Sequence, residues 1–241
     1  MSPPPKIRLR IWFTENGKVR FVSHRDVARL FERALRKLRL PVAYSEGFSP
    51  RPKLSFGLAL SVAHESDAEY LDVELTEHVD VEDLPGALSA ALPDGIDVVW
   101  VAELEPGAAS LQQAITSCTW SIEVLGAPPA RVTAAVAETL AATERPLERV
   151  RKGKTAVTDV RPAILELEVV GPTGDGVELR ADLATSPVSL RPAELVEVIG
   201  IDGLSEGRIR RLHQWMIIDG VRCEPVRRPD PSMGQRWQRA S

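Results

Sequence analysis

Two apolar periods alternate along this chain, and they do so twice in the same order. Ile7, Leu9, Ile11 and Phe13 recur at every second position, with Arg8, Arg10, Trp12 and Thr14 between them. That period belongs to a strand with one buried face. After the turn signal Asn16-Gly17 the period lengthens. Val27, Leu30, Phe31, Ala34, Leu35 and Leu38 form one stripe at helical spacing, opposite Arg25, Arg29, Arg33, Arg36 and Lys37. Ser23 suits the N-cap of this helix, and Asp26 places a carboxylate in its first turn. A short strand is expected near Val42–Tyr44, and the alternation Tyr70–Leu75 predicts another. A helix over about Glu82–Leu92 tolerates Pro85 in its first turn, and a strand over Ile96–Val101 follows. The order is β-α-β-β-α-β.

From Glu105 a spacer, Glu-Pro-Gly-Ala-Ala-Ser, leads into a looser repeat of the same order. Trp120, Ile122 and Val124 read as strand, and Val132, Val136 and Leu140 as helix. Strands near Ala163–Val170 and Val177–Ala184 flank the turn-rich Gly171–Gly176. A helix near Pro192–Ile199 and a strand near Arg208–Met216 complete it. The basic stretch Arg149–Arg161 reads as an insertion in its middle. The predicted fold is therefore α+β, with two tandem ferredoxin-like domains over 1–105 and 106–226 and a boundary near Glu105–Leu111. Residues 227–241 are rich in Arg and Pro without apolar periodicity, and are expected to be disordered or partner-bound.

Cys118 and Cys223 have no CxxC partner, which argues against a zinc finger, a disulfide scaffold or an iron–sulfur site. No apolar run reaches the ~18 residues of a spanning helix and the start is no signal peptide, so no membrane and a cytoplasmic location are expected. Net charge is only −4, but it is distributed in blocks. Residues 1–61 carry 13 Lys/Arg against 4 Asp/Glu, and residues 62–141 carry 1 against 15. The basic block is a candidate docking surface for an anion; the bland reading is that the two blocks pair with each other. Arginine outnumbers lysine 24 to 6, which suits phosphate recognition.

Three features could carry chemistry. The loop Ser45–Gly57 combines Gly47 and Gly57 with Pro50 and Pro52, and interleaves Arg51 and Lys53 with Phe48 and Phe56. Cations that track phosphates beside rings that stack on bases fit single-stranded RNA; the alternative is a rigid turn with its phenylalanines in the core. His24, beside Ser23 and Asp26, is a weak candidate for a general acid or base, and local spacing gives it no partner. The carboxylates Glu65, Asp67, Glu69, Asp72 and Glu74 alternate along a strand instead of converging, so no metal site is expected. In a ferredoxin-like sheet Arg8 and Arg10 would face Asp72 and Glu74 on a neighbouring strand. That placement argues against RNA recognition on the open sheet face, because carboxylates there would repel phosphate.

The stretch Val19-Arg-Phe-Val-Ser-His-Arg-Asp26, with Leu40-Pro-Val-Ala-Tyr-Ser-Glu-Gly-Phe-Ser-Pro-Arg-Pro-Lys-Leu-Ser-Phe-Gly57 and Ala68-Glu-Tyr-Leu-Asp-Val-Glu74, resembles the uncharacterised radical-SAM-linked protein family. The pattern also resembles, more distantly, the RAMP-type CRISPR repeat endoribonucleases, which are built from paired ferredoxin-like domains. This chain has no CxxxCxxC and so holds no radical-SAM cluster itself; no cofactor is expected in it. What the resemblance implies is a radical-SAM enzyme as partner in trans, with this chain presenting a substrate, RNA.

The reading from sequence is a non-enzymatic RNA-binding or substrate-presenting accessory protein. Its contact surface would comprise Arg20, His24, Arg25, Arg29, Phe48, Arg51 and Lys53. The alternatives are a metal-independent endoribonuclease using His24, and a docking module whose basic block meets an acidic protein.

Overall fold

The alternating segments assemble into one large sheet. The computed structural model describes residues 7–151 and 153–226. The elements of the first half are β1 (Ile7–Glu15), α1 (His24–Lys37), β2 (Leu54–Phe56), β3 (Glu65–Leu75), α2 (Leu84–Ala91) and β4 (Ile96–Glu103). A short helix α3 (Leu111–Ala114) leads to β5 (Ile115–Leu125), α4 (Pro129–Ala141), β6 (Pro146–Arg151) and β7 (Lys154–Asp159). Then come β8 (Ile164–Pro172), β9 (Gly176–Ala184), α5 (Pro192–Ile199), β10 (Ser205–Ile218) and β11 (Val221–Cys223). The nine-stranded sheet runs β4-β1-β3-β10-β5-β9-β8, with β2 on β3 and β11 on β10. It is antiparallel except where β3 meets β10. This is an α+β architecture. Each half lays its four main strands in the order fourth, first, third, second: β4-β1-β3-β2, then β10-β5-β9-β8.

The alternation on β1 and β3 decides what each face meets. Leu9, Ile11, Phe13, Leu71 and Val73 pack under α1 and α2 with Val27, Phe31, Leu35 and Leu88, all buried. Ser23 caps α1, its hydroxyl accepting from the Asp26 backbone N–H at 3.2 Å. Leu30, expected in the core, is half-buried at its margin. The other face of β1 and β3 carries Trp12 and Tyr70, which join the core of the second half together with Leu111, Ile115 and Ile122.

The cross-strand charges fall in the register expected: Arg10 opposite Asp72, and Arg8 opposite Glu74. Arg10 binds Asp72 in a two-pronged contact at 2.7 and 2.9 Å, with both groups buried. The spacer after β4 and the segment after β11 lie across this pair: Arg10 also donates to the carbonyls of Ala109 and Pro225 at 3.0 and 3.1 Å, and Arg8 donates to that of Ala108. This part of the sheet is therefore covered, not an open face.

Two local expectations are corrected. The second strand lies at Leu54–Phe56, while Val42 and Tyr44 make only isolated bridges, to Leu75 and Pro52. Pro41, Pro50 and Pro52 remove ladder donors around that segment. The basic insertion is a separate hairpin, β6 with β7. It escaped the periodicity because Leu147 buries itself there while Val150 and Val157 stay exposed. The expected disorder of 227–241 lies outside the described residues.

Candidate nucleic-acid interface

On α1 the helical repeat carries Arg25, Arg29, Arg33 and Arg36 along one exposed row. At about 1.5 Å rise per residue the row is about 16 Å long. Arg29 is partly committed, donating to Asp26 at 2.8 Å on the surface. Hydrogen bonds from Ser23 and Arg29 hold the Asp26 carboxyl below its usual range. Aromatic rings stand exposed at both ends of the row. Phe21, in the short 3-10 turn before α1, is 60% exposed and has the Arg20 guanidinium 4.8 Å above it. Past the C-terminal end, Tyr44 lines a shallow depression with Arg36 and Arg39.

The loop after Tyr44 is pinched shut by backbone. The Ser45 N–H donates to the Arg51 carbonyl at 2.8 Å, and the Arg51 N–H donates to the Ser45 hydroxyl at 3.0 Å. Gly47 takes φ of 120°, which a side chain would strain. The loop holds Phe48 fully exposed, with Arg51 exposed after Ser49 and Pro50. Phe56 behaves oppositely, packing on Phe13, Phe31 and His24. Lys53 pairs with Glu74 at 3.3 Å, and Arg20 with Glu65 at 3.1 Å. The residues singled out in the sequence thus divide. Arg25, Arg29, Phe48 and Arg51 are open to a ligand, Arg20 and Lys53 are shared with carboxylates of the acidic block, and His24 belongs to a buried centre.

That centre lies where β3 and β10 pair in parallel, through Arg210 opposite Glu65 and Arg211 opposite Ser66. Arg211 is 3% exposed. It donates to Glu69 at 2.6 Å and to the carbonyls of Leu58 and Ala59 at 3.1 and 3.2 Å, with its guanidinium 4.7 Å from the Trp120 ring centre. Trp120 meets the His64 ring edge-on at 5.9 Å, and the His24 ring stands edge-on to Phe56 at 5.0 Å. Burial, then the Arg211 charge, lowers the pKa of both histidines, so each imidazole is neutral near pH 7. Burial, then the neighbouring Glu69 charge, pushes Glu15 up to about 8, so its carboxyl keeps its proton there. Burial also raises Glu69.

Spacing along the chain could not place Glu15, His24, His64 and Arg211 together, since they come from four separate segments. The local signal was a chemical one: on β10, Arg211 takes the next buried place in the alternation after Ile209. Among the described residues no group of three or more His, Cys, Asp or Glu is arranged to hold a metal ion, and no helix is long and apolar enough to cross a membrane.

The model of a family described as "Uncharacterized protein conserved in bacteria (DUF2344)" matches residues 8–192. The fold is similar to that of a chain in a Cbf5-Nop10-Gar1 complex, with TM-score 0.50 and 11% identity, over 86% of this chain and 48% of that one. A chain from an archaeal box H/ACA sRNP Nop10-Cbf5 complex aligns with TM-score 0.44 and 13% identity, over 84% of this chain and 46% of that one. The protein thus spans about half the length of either chain, at 48% and 46%. No curated protein matches the sequence.

Proposed function

The chain belongs to the bacterial DUF2344 family, and we propose that it is a non-enzymatic protein that binds single-stranded RNA and presents it to a radical-SAM enzyme in trans. One observation carries the RNA part: the exposed arginine row of α1, bounded by exposed aromatic rings at both ends. Large apolar rings left in water beside exposed cations are what stacking on bases and neutralising phosphates require. The radical-SAM partner rests on the resemblance of the Val19–Asp26 and Leu40–Gly57 stretches to that linked family. The strand order of each half supports reading 1–105 and 106–226 as ferredoxin-like units. Ultraviolet crosslinking of the protein to a uridine-rich oligonucleotide, followed by peptide mapping, tests the surface. Adducts are expected on the peptides holding Phe21, Tyr44 or Phe48; adducts confined to the second half would contradict it.

A second reading is favoured by the buried centre, where neutral His24 lies in the field of Arg211 with protonated Glu15 nearby. A neutral imidazole and a protonated carboxyl are the two halves of acid–base catalysis. This reading is metal-independent RNA cleavage with His24 as base. Cleavage in chelator that disappears in His24→Ala would favour it over the first.

A further inference from the structure

α1 carries two carboxylates among its cations, and their surroundings differ. Asp26 is held by Ser23 and by Arg29, at 2.8 Å each. Glu32 is half-buried, and its side chain makes no hydrogen bond or ion pair among the described residues. It lines the depression past the C-terminal end of the arginine row, where Tyr44 stands on one side and Leu35, Val42 and Pro52 form an apolar wall. The depression measures about 130 Å³. That is well below the ~300 Å³ at which a pocket encloses a whole ligand, so it has room for one ring of a longer molecule. Arg36 and Arg39 stand at the same depression. α1 closes with the Leu40 N–H donating to the Leu35 carbonyl at 3.1 Å, and Arg39 in this closing turn takes φ of 55°. Glycine is the residue that adopts this conformation without steric cost. An arginine kept there gives up stability, as residues at functional sites often do.

We propose that this depression takes one base of the bound strand and reads it as cytosine. The ring stacks on Tyr44 against the apolar wall. Glu32 and Arg36 lie one helical turn apart on one side of α1, so they offer an acceptor next to donors. Cytosine presents the matching edge, an exocyclic amino group beside a ring nitrogen and a carbonyl, and acceptance from that amino group is how acidic side chains single it out. Arg39 holds the phosphate outside. Uracil fits the space but has a carbonyl where cytosine has its amino group, and the lone pairs of that carbonyl face the carboxylate. A purine brings a second ring that the volume does not hold. Glu32 also marks this end of the row as a base site, since a carboxylate repels phosphate. The proposal rests on the RNA reading of the α1 row and adds a sequence preference to it.

The test is fluorescence anisotropy of the full chain with labelled oligocytidine and oligouridine of equal length at one salt concentration. Oligocytidine should bind about tenfold more tightly, the discrimination expected of one good base-edge contact. Glu32→Gln should bring the two affinities together, weakening oligocytidine and strengthening oligouridine. Arg39→Gly should raise the melting temperature by relieving the backbone, yet weaken both tracts and flatten the salt slope by up to about 0.7. Three results overturn the pocket and leave the α1 surface standing: salt-dependent binding that is equal for both tracts, a Glu32→Gln variant in which both tracts gain alike or the preference survives, and wild-type affinity in Arg39→Gly. Absence of binding to either tract ends the RNA reading and the pocket with it.

Discussion

Arg211 donates to Glu69 at 2.6 Å across the join of β10 and β3, with both groups buried. This contact ties the two halves of the sheet where they share only two residue pairs in parallel register. Removing one partner leaves the other charge uncompensated. Arg211→Ala should destabilise the fold by about 3–5 kcal/mol in urea titrations, and pairing Arg211→Met with Glu69→Leu should recover part of the loss. Equal losses in the single and the double variant would show that the pair is not what holds the join.

Phe31 and Phe48 make opposite predictions. Phe31 is fully buried between α1 and the sheet, 4.6 Å from the Phe13 ring centre, so Phe31→Ala should cost about 3–5 kcal/mol through the cavity it leaves. Phe48 touches no core, and Phe48→Ala should change stability by less than about 0.5 kcal/mol. If Phe48 stacks on a base, the same variant loses about 1–3 kcal/mol of RNA affinity. Melting curves with RNA binding on both variants check the contrast.

Glu15 gives a pH dependence whose sign follows from its proton. Its folded pKa near 8 lies above the ordinary 4.5, so between these values the folded state holds a proton that the unfolded chain has released. Stability therefore falls as pH rises through that window, by up to about 1.4 kcal/mol per unit, and levels off above pH 8. Glu69, also raised, adds in the same direction. His24 and His64 act oppositely, but only below their ordinary 6.5, because their folded pKa is lowered. Above pH 6.5 the histidines no longer contribute, so the window in which to read Glu15 is pH 6.5 to 8. There Glu15→Gln should reduce the downward slope of stability against pH; a slope identical to wild type would remove Glu15 as its source.

What was legible in the sequence was whatever repeats along it. The β1 alternation, the α1 stripe and the Ser23 cap are local patterns, and the Arg10–Asp72 pair follows from them once β1 and β3 are neighbours. The proline-rich stretch from Pro41 to Pro52 was not legible in this way. Its bridges at Val42 and Tyr44 are single, and the strand proper starts only after the last proline. The Arg211 centre was invisible for a different reason. Its members lie on β1, α1, the segment before β3, and β10, and nothing along the chain counts the distance between them. The pairing of basic with acidic blocks, raised as the bland reading, holds for Arg20 and Lys53 and not for Arg25 or Arg51.

That division predicts which cations matter for a ligand. Arg25→Ala and Arg33→Ala, on the exposed row, should each weaken RNA binding without altering the melting temperature. Arg20→Ala should instead release Glu65, which Arg210 also holds at 2.9 Å. Its effect should fall on stability more than on affinity. Fluorescence anisotropy with a labelled oligonucleotide and a thermal scan on each variant would show the pattern; a larger affinity loss in Arg20→Ala than in Arg25→Ala would reverse the assignment.

If the α1 row and the Phe48 loop neutralise the phosphates of a single strand, oligonucleotide affinity should fall steeply with salt. Three to five phosphate contacts imply a slope of log K against log salt of roughly −2 to −3.5, and loss of one cation, as in Arg25→Ala or Arg51→Ala, should flatten it by up to about 0.7. Phe48→Ala should lower affinity and leave the slope unchanged. Affinity that does not respond to salt, or a slope untouched by either arginine substitution, would contradict the claim.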